Sequence, residues 1–259
     1  MNVSRSHPAF PQPEDDTVVL WRYMDVQKFR WLVENSRLFM PSVVRLGDPL
    51  EGTAPKGRII WWQREAENAN SEEHRHIIEN NRAFISGVSQ ILRNNYYVSC
   101  WHMNQSENHA MWQCYTTRPE AVAIRTTYAS LRECLPDYIE IGVVRYIDYS
   151  EEDLPTMNML EYIMHKDEYY GFESEVRVVV LYPPEGAVGS EHFKQNHFES
   201  DSAPGLLVYA PQIQLNQLIH GVVLHPDASQ EFQAQTSLIC DEAGLPQPQI
   251  SRKEREPLF

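Results

Sequence analysis

The chain has 259 residues, 42% hydrophobic and 22% charged, which is ordinary for a folded globular protein with a substantial core. Its formal net charge of −14 opposes non-specific binding to nucleic-acid backbones, which needs clustered Lys and Arg to displace counterions. No apolar run reaches the length of a membrane span, the amino terminus lacks a signal-peptide layout, and Cys100, Cys114, Cys134 and Cys240 form no C-x-x-C pair, so the expectation is a cytoplasmic protein with reduced thiols and no membrane partner.

Residues 1 to 16 hold three prolines and three acidic residues without apolar periodicity and read as a flexible tail. The run from Val18 to Tyr23 predicts a first strand. Asp25 follows at an N-cap position, with Val26, Phe29, Leu32 and Val33 at helical spacing behind it. An extended piece from Leu38 to Pro41 leads to the turn-rich loop Gly47-Asp48-Pro49-Leu50-Glu51-Gly52. Residues 58 to 94, free of proline, predict two helices parted near Asn68 to Ser71. The second would bury Ile77, Ile78, Phe84, Ile85, Val88, Ile91 and Leu92.

A strand at 96 to 101, a helix at about 107 to 115, a strand from Ala121 to Arg125 and a short helix near 128 to 134 come next. Then follow a long strand from Ile139 to Ile147, a helix over 156 to 167 and a strand over 173 to 182. Pro183 to Pro204 reads as a long surface loop. Strands near Leu206 to Tyr209 and Leu218 to Leu224 precede a helix from Ala228 to Glu242, stopped at Gly244, and a short extended piece at Gln249-Ile250. Residues 252 to 259 form a charged tail. With no repeat and no clean linker, the reading is one α+β domain over residues 17 to 251, its mixed or antiparallel sheets packed with helices.

Two stretches suggest a ligand site. Tyr96-Tyr97-Val98-Ser99-Cys100-Trp101 ends an apolar strand in hydroxyl, thiol and indole groups, and His109 to Tyr115 is rich in aromatics. Each buried polar tip needs a partner. Farther on, Glu173 and Glu175 open an otherwise apolar strand in the run Glu173-Ser174-Glu175-Val176-Arg177-Val178-Val179. In strand geometry Glu173, Glu175 and Arg177 share one face and Val176, Val178 and Val180 the other. That row is either a solvated face, a structural Glu–Arg pair, or a carboxylate that steadies a sugar or a cationic transition state.

Arg22 invites a similar choice between an ion pair with Glu51, Asp48 or a later glutamate and a grip on phosphate or carboxylate. Tyr23, Trp101, Trp112 and Tyr115 are suited either to a core or to stacking on a flat ring. Cys100, His102, His109 and Cys114 are the right atom types for zinc, but their spacing fits no finger or ribbon, so no metal is expected. No G-x-S-x-G elbow and no Gly-rich phosphate loop appears, and strand neighbours such as Ser99 and Cys100 point to opposite faces.

The order W-R-Y, D-P-L-E-G, V-S-C-W, S-E-N-H-A-M-W-x-x-Y, A-V-A-I-R and F-E-S-E-V-R-V-V, over about residues 18 to 251, resembles a widespread bacterial family carried as a domain of unknown function. The chain departs from it at Ala121, where members commonly show Gly, and in a longer helical insert before Tyr96. The layout is also similar to that of ADP-ribosyltransferases, which carry an Arg or His on the first strand, a Ser ending a later strand and a distal E-x-E. That resemblance implies an ADP-ribosyltransferase-like fold with NAD as substrate. Arg22 would hold its phosphate or ribose, Ser99 would order the nicotinamide side, and Glu175 with Glu173 would be the catalytic carboxylates; Tyr23, Trp112 and Tyr115 are added as cofactor-binding candidates because their rings suit stacking on a flat ring. Ser99 is followed by Cys100-Trp101 where the family usually continues differently. The functional expectation is an NAD-using ADP-ribosyltransferase or NAD glycohydrolase with a small-molecule ligand and a protein target. A non-enzymatic ligand- or protein-binding module of a stress or phage-defence system is the alternative.

Overall fold

The computed structural model describes residues 7–182, 196–200 and 203–251. Contacts gather into two compact units, each assembled from three separate stretches of chain. One takes residues up to Gln12, then Met40–Ser99 and Tyr138–Tyr209; the other takes Pro13–Phe39, Cys100–Asp137 and the stretch from Ala210. Because the chain passes repeatedly from one to the other, no linker marks a boundary in the sequence. The fold class is α+β, with helices and mixed sheets, as expected.

In the unit that begins at Pro13, β1 (Val19–Asp25) pairs antiparallel along its whole length with β4 (Ala121–Thr127), from Val19 opposite Thr127 to Asp25 opposite Ala121. β4 pairs antiparallel with β11 (Gly221–Leu224), and β11 pairs parallel with β12 (Gln249–Ile250). On its other side β1 meets the end of β3 (Tyr96–Met103), with Trp21 opposite His102. Alternation on β1 sends Trp21 and Tyr23 into a cluster with Met111, Trp112, Ala121 and Ala123. The helices are α1 (Val26–Asn35), α4 (His109–Tyr115), α5 (Tyr128–Cys134), α7 (Leu215–Leu218) and α8 (Gln230–Ala243). Side chains of Asn108, Thr127 and Ser229 cap α4, α5 and α8, and Gly244 ends α8 at φ 65. Asp25 precedes α1 without capping it; its carboxylate takes the amide of Thr117 at 3.4 Å.

In the other unit the hydrogen-bonded strand order is β3, β8 (Glu175–Leu181) and β5 (Glu140–Val143), with β5 antiparallel to β8. A second sheet joins β2 (Met40–Pro41), β10 (Ala203–Tyr209) and β9 (His197–Ser200), and β6 (Arg145–Ile147) lies parallel to β7 (His165–Asp167). The helices here are α2 (Lys56–Glu67), α3 (Glu72–Asn95) and the short α6 (Glu161–Met164).

Several expectations need correction. The helix expected over 156 to 167 is confined to α6, because Arg58 donates to the carbonyls of Leu154 and Thr156 at 2.9 and 3.0 Å and so takes acceptors a helix would use. The strand expected from Ile139 to Ile147 divides into β5 and β6, which pair with different partners. Glu173 lies in the 3-10 turn Glu168–Glu173, not in a strand, and both faces of β8 are buried. The loop expected over 183 to 204 contains β9; its residues 183–195 and 201–202, like the tail at 252–259, lie outside the described residues. On α3 the row Ile77, Phe84 and Ile91 is not buried but 52%, 68% and 62% exposed, while Ile78 alone packs fully inward.

The opening segment is not loose where it is described. Ala9 and Phe10 are fully buried, the amide of Val143 donates to the carbonyl of Pro11 at 2.8 Å, and Gln12 Nε2 reaches the carbonyl of Ile141. Gly142 permits this approach, since a Cβ there would lie 2.8 Å from Phe10 Cα. Gly142→Ala is therefore expected to lower stability in urea denaturation by about 1–3 kcal/mol through overpacking, and an unchanged midpoint would contradict this seating of the segment.

Candidate functional site

Five buried ionisable side chains converge in the unit built on β8. Arg177 stands on β8 two residues after Glu175 and is fully enclosed. Its Nε and Nη2 donate to the two carboxylate oxygens of Glu175 at 2.7 and 2.8 Å. Its Nη1 and Nη2 donate to the two oxygens of Glu51 at 2.9 and 3.0 Å, and Nη1 also reaches the carbonyl of Ile163 at 2.7 Å. All five guanidinium donors are thereby used, with a carboxylate on each of two edges of the fork.

Lys166, on β7, supplies the second cation. Its Nζ lies 2.7 Å from Glu173, 3.2 Å from Glu51 and 3.8 Å from Glu175, and 4.4 Å from the centre of the Tyr170 ring. Burial opposes its charge, but Glu175, Glu51 and Glu173 outweigh that and hold its ammonium above the ordinary lysine value. Three carboxylates against two cations leave one negative charge in excess.

Local structure explains the convergence. Gly52, at φ 69, turns the chain just after Glu51, and Arg93 of α3 fixes the loop by donating to the carbonyls of Glu51 and Pro49, both at 2.6 Å. Ser174 sits in the left-handed region at φ 41, where its amide donates to the carbonyl of Gly171. This reversal, and not a shared strand face, lets Glu173 and Glu175 approach the same two cations. Tyr146 accepts the Glu175 amide at 2.8 Å, and Tyr149 donates to the carbonyl of His165 at 2.9 Å. Burial first, and then the charge of Glu175 and of Glu51 respectively, pushes both phenols up, so they stay neutral.

The remaining expected site residues stand in other surroundings. Arg22, half-buried on β1, donates to the carbonyl of Phe39 at 2.9 Å and lies 5.7 Å from the centre of the Trp101 ring. Burial lowers its pKa to about 10. Glu51, weighed beside Asp48 and the later glutamates as a partner for Arg22, pairs with Arg177 and Lys166. Tyr23 and Trp112, expected as ligand platforms, belong to the core. Their rings meet edge to face at 4.9 Å, the Tyr23 hydroxyl accepts the Asn108 amide at 2.7 Å, and Trp112 Nε1 donates to Glu107 at 3.2 Å. Tyr115 ends α4 partly exposed, and Ser99 is buried within β3. Among the described residues no group of His, Cys, Asp and Glu is arranged to hold a metal ion.

Sequence reasoning found Glu173, Glu175 and Arg177 but assigned Glu51 elsewhere and passed over Lys166, Tyr146 and Tyr149. A charged Lys beside His165 in a segment otherwise read as a plain helix was the available signal for Lys166.

No family model matches the chain, and no curated protein matches it. Among solved structures it is similar to Thermus sp. 2.9 DarT in complex with ADP-ribosylated ssDNA, at 8% identity over 94% of this chain and 96% of that chain, with a TM-score of 0.38. A likeness of that degree carries no argument about activity.

Removing one partner of a buried ion pair strands the other charge, so Arg177→Met is expected to cost about 3–5 kcal/mol in urea denaturation, and a loss below about 1 kcal/mol would contradict the fork geometry. The pH dependence has a definite sign. Lys166 is held above its ordinary value of 10.5, so its contribution is complete below that pH and is lost as pH rises past it. The raised phenols of Tyr146 and Tyr149 act in the same direction. Lys166→Met should therefore make the alkaline loss of stability shallower without abolishing it, and an unaltered alkaline slope would exclude this role for the lysine.

Proposed function

We propose that this protein is an NAD-using ADP-ribosyltransferase or NAD glycohydrolase whose carboxylate cluster stabilises positive charge on the ribose. The observation that carries the reading is the excess negative charge of Glu51, Glu173 and Glu175 over Lys166 and Arg177, held in a fixed and largely enclosed arrangement. A buried ionic cluster seldom stabilises a fold more than well-packed apolar residues would, so its presence calls for another physical reason. Breaking the bond between nicotinamide and ribose develops positive charge on the sugar, and a prearranged carboxylate lowers that barrier without reorganising solvent.

Within the cluster the roles divide. Both oxygens of Glu175 are engaged by Arg177, which suits it to fixing the field and not to meeting substrate. Glu173 is the carboxylate nearest solvent, 8% exposed against 2% for Glu51 and 3% for Glu175, and is the one proposed to face the ribose. The motif order supports Ser99 at the nicotinamide end. A protein target or water would take the ADP-ribose.

Incubation with NAD is expected to release nicotinamide, measured by chromatography. Glu173→Gln should lower the rate about a hundredfold, as loss of an electrostatic stabiliser does, while keeping the wild-type circular dichroism. Full activity in folded Glu173→Gln would remove the carboxylate role. Neither turnover nor NAD binding by the wild type would overturn the enzymatic reading in favour of a binding module.

A further inference from the structure

Tyr146 stands beside the carboxylate cluster with a hydrogen that its neighbours do not use. It lies on β6, where its register partner on the parallel strand β7 is Lys166. Paired residues of adjacent strands project to the same side, so the phenol and the ammonium lean the same way. The ring is half-buried, and its hydroxyl oxygen reaches the start of β8, where it accepts the Glu175 amide at 2.8 Å. A phenol that accepts one bond keeps its own O–H to donate. Among the described residues, none accepts that hydrogen.

The neighbouring donors are already spent. Arg177 gives all five of its hydrogens to Glu175, Glu51 and the carbonyl of Ile163. Lys166 is enclosed by Glu173, Glu51, Glu175 and the Tyr170 ring, and Tyr149 donates to the carbonyl of His165. Burial first, and then the charges of Glu175 and Glu173, keep the Tyr146 proton on its oxygen through the neutral range. Tyr146 is therefore a donor there and not a base.

One kind of ligand answers both halves of this arrangement. A carboxylate such as Glu173 accepts from a hydroxyl, and a phenol whose oxygen is already engaged donates to one. A vicinal diol offers both at once, since each of its hydroxyls donates and accepts. An anionic group would meet the excess negative charge of the cluster, and an ammonium would give the phenol hydrogen no acceptor.

We propose that Tyr146 is a substrate-binding residue of this site, donating its O–H to one hydroxyl of the nicotinamide ribose while Glu173 accepts from the other. The assignment rests on the cluster being the ribose site, and it adds the specificity: a sugar with both hydroxyls free. The test compares kcat/KM for NAD and for analogues lacking one or the other hydroxyl of that ribose. Wild type should lose at least about tenfold on the analogue without the hydroxyl that Tyr146 meets. Tyr146→Phe should lose a similar factor on NAD, yet match wild type within about twofold on that analogue, because the bond is missing from both. A phenylalanine that merely displaced Glu175 would slow every substrate by the same factor. That uniform loss, or a wild type indifferent to both missing hydroxyls, would overturn the role of Tyr146 and leave NAD turnover standing. The second of these outcomes needs no variant, so it decides even if Tyr146→Phe does not fold. A wild type that neither turns over nor binds NAD removes both proposals together.

Discussion

The organisation around β8 depends on a single guanidinium. A charge as deeply enclosed as that of Arg177 is tolerable only when every donor finds an acceptor, and here two carboxylates and one backbone carbonyl satisfy all five. That requirement draws three distant pieces of chain to one point: the loop carrying Glu51, the start of β8 at Glu175, and the end of α6 at Ile163. Lys166 then binds what remains of the negative field, which brings Glu173 inward and fixes the turn between β7 and β8. Apolar burial supplies most of the driving force in such a unit, but the ionic cluster determines which segments meet.

Preorganisation follows from the same geometry. Glu175 is held by two bonds from Arg177, Glu51 by two more, and Tyr146 anchors the backbone at Glu175. None of these groups needs to move for charge to develop nearby, and low surrounding dielectric strengthens their field. Ser174, in a left-handed conformation that a residue with a Cβ seldom adopts, lies between the two glutamates. Backbone strain at such a position persists where the surrounding contacts require it, and the two ion pairs on either side provide that requirement.

Much of the element order was legible from local signals, because β1 and β4 are short, largely apolar runs buried on both faces, and α5 and α8 carry side-chain caps. Legibility failed where a long-range contact overrode local preference. The segment before α6 has helical composition, but Arg58 claims its carbonyls from 96 and 98 residues away. Phe10 looks like part of a polar tail until Gly142 receives it. On α3 two apolar rows are equally strong in the sequence, and only the one containing Ile78 is covered by the chain itself. The Glu173, Glu175 and Arg177 row stood out as acidic residues opening an apolar strand, but Glu51 and Lys166 could not be joined to it without knowing that β7 and the Glu51 loop reach the same place. Tyr23 and Trp112 had the chemistry of a platform, and their polar tips turned out to be met by Asn108 and Glu107.

The central claim is that the carboxylate cluster faces the scissile end of NAD. A crystal structure with a non-cleavable NAD analogue, its ribose oxygen replaced by carbon, tests this most directly. The account predicts the nicotinamide-bearing ring beside Glu173, with Arg177 still bridging Glu51 and Glu175. An analogue bound on a different surface, or absent at saturating concentration, would contradict it.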